Sequence, residues 1–136
     1  MTAKQYLSQA LRIDQRIESR IAERDRLASK ATSLRATQLT GMPRGGGRDW
    51  TDAINEVIDL TSKIEDEIME LCRLKREIMA TIDRVEDSRY RMLLEFRYRS
   101  GYTWEQIAEA MGYDVRWVYH LHGEALQTVK VPNTAC

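Results

Sequence analysis

Residues 104–123 read WEQIAEAMGYDVRWVYHLHG, and this stretch decides the fold. Ile107, Ala108 and Met111, and then Val118, Leu121 and Ala125, recur at helical spacing, so both halves are helices with one inward face. Between them stands Gly112, at the point past a helix end where a left-handed residue is needed. Thr103, followed three residues later by Gln106, makes a capping box for the first helix. Asp114 is placed to cap the second. Ala108 is small enough for the two helices to approach closely. Ile107, Met111, Tyr113, Val118 and Leu121 supply a small core around the turn. With Ala108 and Gly112 these seven positions have the spacing of a helix-turn-helix.

Working outward, residues 86–101 (EDSRYRMLLEFRYRSG) predict one more helix. Asp87 caps it, Tyr90, Leu93, Leu94 and Tyr98 form its apolar face, and Gly101 ends it. These three helices make a C-terminal domain over 87–131, followed by a tail at 132–136. Upstream, residues 4–34 carry apolar side chains at Tyr6, Ala10, Ile13, Ile17, Ile21, Ala28 and Ala31, widened by Leu7, Leu11, Leu27 and Leu34. Residues 49–85 repeat the pattern at Trp50, Ile54, Val57, Thr61, Ile64, Ile68, Leu71, Ile78, Ile82 and Val85. Each reads as a long amphipathic helix, the second spanning roughly 50 Å. The connector at 34–49 holds Gly41, Pro43 and Gly45-Gly46-Gly47. It lacks the lysine-containing pattern of a phosphate loop and reads as a flexible link. The expectation is an all-α protein: a long antiparallel, coiled-coil-like helical hairpin over 1–86, then the three-helix domain.

The chain has 136 residues with 21 Lys/Arg and 21 Asp/Glu, but the charges are segregated. Residues 1–40 carry eight basic against four acidic side chains, and residues 49–87 carry five against twelve. A basic first helix and an acidic second one favour pairing with each other, charge setting register more than stability. One hairpin seam is a marginal core, so the arm is expected to oligomerise, most simply as a dimer. No apolar run approaches the roughly 20 residues needed to span a bilayer, and the first residues lack a signal-peptide core. Two cysteines make neither a disulfide framework nor a metal cage, which fits a cytoplasmic setting. Cys72 reads as a buried or seam residue. His120 and His122, two apart on a helix, point to different faces without a third ligand nearby, so no metal and no cofactor is expected. No Ser-His-Asp or Cys-His arrangement is legible, so no catalytic residue is assigned and an enzyme is not expected.

A helix-turn-helix reads double-stranded DNA by laying its second helix in the major groove, the N-terminal half facing the bases. The outward positions are Val115, Arg116, Trp117, Tyr119, His120 and Gly123/Glu124. Arg116 suits a bidentate contact to guanine, Val115 a thymine methyl, and Tyr119 and His120 donation to bases or phosphates. Trp117 lies either against the sugar-phosphate wall or on the preceding helix. That helix offers a phosphate site in the N–H groups of Thr103, Trp104 and Glu105, with Arg97 and Arg99 adding attraction.

The run RYRMLLEFRYRSGYTWEQIAEAMGYDVRWVYHLHGEAL resembles region 4 of bacterial sigma-70-type factors, the part that reads the promoter −35 element. The matching pieces are Leu93, Leu94, Arg97 and Tyr98, the TWEQIA run at 103–108, Met111-Gly112-Tyr113, and Ala125-Leu126. The resemblance implies base readers at Val115, Arg116, Tyr119 and His120, with Glu124 near the backbone. Val115, Tyr119 and Glu124 depart from the basic residues common there. Nothing before residue 85 looks like the remainder of a sigma factor. The layout is similar to small phage- or prophage-encoded transcription regulators of Gram-positive bacteria, which implies promoter binding and admits contact with RNA polymerase. Two alternatives stay open. One is a phage DNA-packaging recognition subunit of the small-terminase kind. The other is a module that binds RNA polymerase or a sigma factor through protein contacts.

Overall fold

The computed structural model describes residues 1–39 and 47–132. Every regular element among them is helical: α1 (Ala3–Leu39), α2 (Gly47–Asp83), α3 (Ser88–Leu94) continuing into a π-helical turn (Glu95–Arg99), α4 (Trp104–Met111) and α5 (Val115–Thr128). The fold class is all-α. None of these helices is long and apolar enough to cross a membrane. The two long helices extend beyond their expected inner ends, so the link is shorter than 34–49. Its centre, residues 40–46, lies outside the described residues, as do the side chain of Trp50 and tail residues 133–136.

The chain forms two compact units, Met1–Gln15 with Arg73–Cys136, and Arg16–Cys72. The division differs from a cut at 86/87, because the first fifteen residues belong with the C-terminal helices. In the first unit α1 starts at a second capping box: Thr2 N–H donates to Gln5 Oε1 (2.9 Å) and Gln5 N–H to Thr2 Oγ1 (3.1 Å). Tyr6, Leu7, Ala10 and Ile13 are buried, as are Ile78, Met79, Ile82 and Val85. The Tyr6 hydroxyl meets Thr81 Oγ1 at 3.3 Å, and Asp14 pairs with Lys75. Advancing along α1 is matched by retreating along α2, so the segments are antiparallel.

In the second unit the same sense holds. Arg20 reaches Glu67, while Ala28 and Ala31 lie beside Thr61 and Val57. Among the described side chains only those of α2 are fully buried here, at Ile54, Val57, Ile64 and Leu71. On α1, Ile17, Ile21, Leu27, Ala31 and Leu34 are half-buried and Ala28 is exposed, against the expected continuous seam. Cys72 is also exposed rather than seam-buried, because it stands one position past Leu71 and is turned about 100° from it.

The C-terminal helices follow the expected local grammar closely. Asp87 accepts from the N–H groups of Arg89 (2.9 Å) and Tyr90 (3.2 Å). Gly101 (φ 72°) and Gly112 (φ 73°) adopt the left-handed conformation that ends their helices. Leu93, Ile107, Ala108, Val118 and Leu121 form the core, with Tyr90, Phe96, Tyr102, Trp104, Met111 and Val115 packed around it. Both α3 and α4 pack on α5. Three expectations are corrected. Tyr113 is 36% exposed rather than core. Its N–H closes the turn onto the Ala108 carbonyl (2.9 Å), while its side chain stays at the surface. Asp114 occupies the N-cap position of α5 without a side-chain cap bond. The helix after Asp87 is not α throughout: its last turn opens so that the Ser100 N–H donates to the Glu95 carbonyl (3.1 Å).

Candidate nucleic-acid interface

All of the candidate residues lie in the unit built from Met1–Gln15 and Arg73–Cys136. The three-residue turn 112–114 hands the chain from α4 to α5, and the buried row Val118, Leu121, His122 and Ala125 fixes which side of α5 faces outward. Helical geometry then groups Arg116, Tyr119, His120 and Gly123 on one exposed face. Tyr119 is 49% exposed and Trp117 44%, whereas Val115 is half-buried against the core. The Trp117 indole stacks on the His120 ring, with centroids 4.9 Å apart, so its ring contact lies within its own helix.

The electrostatics of this face are specific. His120 Nε2 donates to Glu124 Oε1 at 2.8 Å, and Glu124 Oε2 accepts from the Tyr90 hydroxyl at 2.6 Å. Those two bonds hold the Glu124 carboxyl below its usual range, the Tyr90 hydroxyl contributing most, and Tyr90 is pushed up in turn. Among the described residues Arg116 has no carboxylate partner, so its five donors face solvent.

The flanking residues expected to hold phosphates are partly used inside the protein. The Thr103 N–H is taken by Gln106 Oε1 (2.9 Å) in the capping box, so the free N–H groups of the first turn are those of Trp104 and Glu105. Arg97 donates to the Tyr102 carbonyl (2.9 Å), and its guanidinium sits 4.3 Å from the Trp104 ring centre. It acts as a strut between the π-helical turn and α4. Trp104 in turn touches Tyr119 (5.2 Å) and meets His122 edge-on (4.6 Å). Arg99 is exposed but pairs with Asp83 (3.1 Å) and Glu95 (3.7 Å), which cancels much of its field.

One residue here had no role in the sequence reading. His122 is buried, sharing a 2.8 Å hydrogen bond between its Nε2 and the Tyr98 hydroxyl. Burial, with Lys4 and Arg97 adding repulsion, lowers its pKa to about 4, so the ring is neutral at pH 7. Burial likewise pushes the Tyr98 hydroxyl up, while the Arg97 charge acts against the rise. A histidine two residues from an outward one was the available signal, since it must lie on another face.

Residues 31–130 match a family of proteins of unknown function, DUF1492. The chain belongs to the DUF1492 family. The DUF1492 match takes in α3, α4, α5 and every candidate residue named above. No curated protein and no solved structure matches the chain.

Proposed function

We propose that this DUF1492 protein is a sequence-specific DNA-binding transcription regulator that lays α5 in the major groove of promoter DNA. In this reading α3–α5 act as a sigma-70 region 4-like helix-turn-helix. The protein is phage or prophage encoded, works in the cytoplasm, and engages RNA polymerase at the promoter. The carrying observation is the outward row on α5: an arginine with no ion pair among the described residues, followed one turn later by Tyr119 and His120. Arg116 makes the bidentate guanine contact, and Tyr119 and His120, the latter held by Glu124, donate to bases or phosphates. The N–H groups of Trp104 and Glu105 take a phosphate oxygen and set the register. With Arg97 and Arg99 engaged internally, few phosphates are neutralised, so affinity falls gently with salt. Selection of bound duplexes from a random pool tests the reading. A defined motif for the wild type that is lost in Arg116→Ala/His120→Ala supports it, and a pool that never converges at about 50 mM salt refutes it.

A second reading, a protein-binding module directed at RNA polymerase or a sigma factor, is favoured by a separate observation. Met92, Tyr113, Trp117 and Tyr119 are large exposed apolar side chains in a domain with six basic and five acidic residues over 88–136. Activity that survives the Arg116/His120 pair but fails with Trp117→Ala selects that reading.

A further inference from the structure

We infer that the Arg16–Cys72 unit carries an interface for a second copy of this chain, closing into a four-helix bundle. The inference stands whether or not α5 reads DNA. On α2 the buried row is accompanied by a second row one position on: Ile58, Ser62, Glu65, Met69 and Cys72, at alternating steps of four and three. That is heptad spacing on an outward face, and Ile58 is 50% and Met69 70% exposed. Beside it runs a groove of about 330 Å3, walled by Ala28 and Ala31 of α1 and Val57, Ile58, Thr61, Ser62 and Glu65 of α2. The small side chains of α1 leave room for the ridge of a neighbouring helix, which meets Val57 and Ile58 beside the polar Thr61, Ser62 and Glu65. On α1 Ala31 of the half-buried row lines this groove together with the exposed Ala28.

Charge identifies the occupant. Residues 16–36 carry six basic against three acidic side chains, and residues 51–72 carry one against seven. Among the described residues Arg26 and Lys30 on α1, and Asp59, Glu65 and Asp66 on α2, have no ion pair within the chain. A two-fold axis brings the basic helix of each copy beside the acidic helix of the other, with every helix flanked by opposite charge. Such an isologous contact closes at two copies. The row from Ile58 to Cys72 is about 21 Å long at 1.5 Å per residue and the face about two helix diameters wide, or roughly 850 Å2 over both partners, the size of a weak, concentration-dependent contact.

Light scattering on the full chain at 10–100 µM tests this. The expected mass is twice 15.8 kDa. Ile58→Lys/Met69→Lys places charges only at positions already exposed in the single chain, so the helices persist by circular dichroism while the dimer weakens by about a hundredfold or more. Raising the salt weakens the wild-type dimer further, since cross-copy ion pairs are screened. Arg116→Ala/His120→Ala leaves the mass unchanged, which separates this claim from DNA reading. A monomeric wild type, a ring of eight or more copies, or a dimer indifferent to the double lysine variant would overturn the inference.

Discussion

Acid should loosen the C-terminal helices through one side chain, His122. Its pKa is about 4 in the folded chain against 6.5 when free. A lowered folded value means that the unfolded chain binds the proton first. The contribution is therefore complete above pH 6.5 and is lost as pH falls towards 4. For one site with these two values the loss by pH 5 is about 2 kcal/mol, and residual solvent screening brings it to about 1–2 kcal/mol. The assay is urea unfolding followed by tryptophan fluorescence at pH 7.5, 6.5, 5.5 and 5.0, because the Trp104 ring lies 4.6 Å from His122. His122→Gln keeps a hydrogen-bonding partner for Tyr98 but does not titrate. The wild type should lose stability across this window, and the variant should start less stable and stay nearly flat. Equal slopes in the two proteins would refute the assignment of the buried neutral ring.

Other substitutions separate framework from surface. Leu121→Ala empties a fully buried core position and should cost about 2–5 kcal/mol in denaturant unfolding. Gly112→Ala meets no neighbour within 4 Å but keeps a φ of 73°, so it should cost about 1–2 kcal/mol by the same measurement, through backbone strain alone. Arg97→Ala should destabilise by more than about 1 kcal/mol, since it removes a carbonyl hydrogen bond and a ring contact, whereas Arg99→Ala, with exposed partners, should change thermal stability by less than about 0.5 kcal/mol.

What was legible in the sequence was local. Asp87, the Thr103–Gln106 box and Gly112 act within a few residues of themselves, and each takes the conformation its chemistry predicts. The period of Val118, Leu121 and Ala125 likewise set the outward face of α5, so Arg116, Tyr119 and His120 are exposed as expected. What was not legible needed partners distant along the chain. The fate of Arg99 depends on Asp83 in another helix, and that of Arg97 on a Trp104 ring brought near by the π-helical turn, whose single-residue opening leaves no mark on apolar spacing. Tyr6 and Thr81 are seventy-five residues apart, so nothing local announces the contact of their hydroxyls. Tyr113 departs for a simpler reason: a turn tyrosine carries a hydroxyl that water satisfies, so it needs no place in the core and is 36% exposed. Thr103 was counted both as a cap and as a free donor, and the capping box excludes the second role.

The central claim concerns the outward face of α5, and fluorescence anisotropy on a duplex recovered by selection tests it most directly, with single base-pair changes scanned against wild type and Arg116→Ala. One G·C pair is expected whose replacement weakens wild-type binding by about 1–3 kcal/mol but leaves the Arg116→Ala protein indifferent. Equal losses in both proteins at every position, or wild-type binding no tighter than to an unselected duplex, would contradict it.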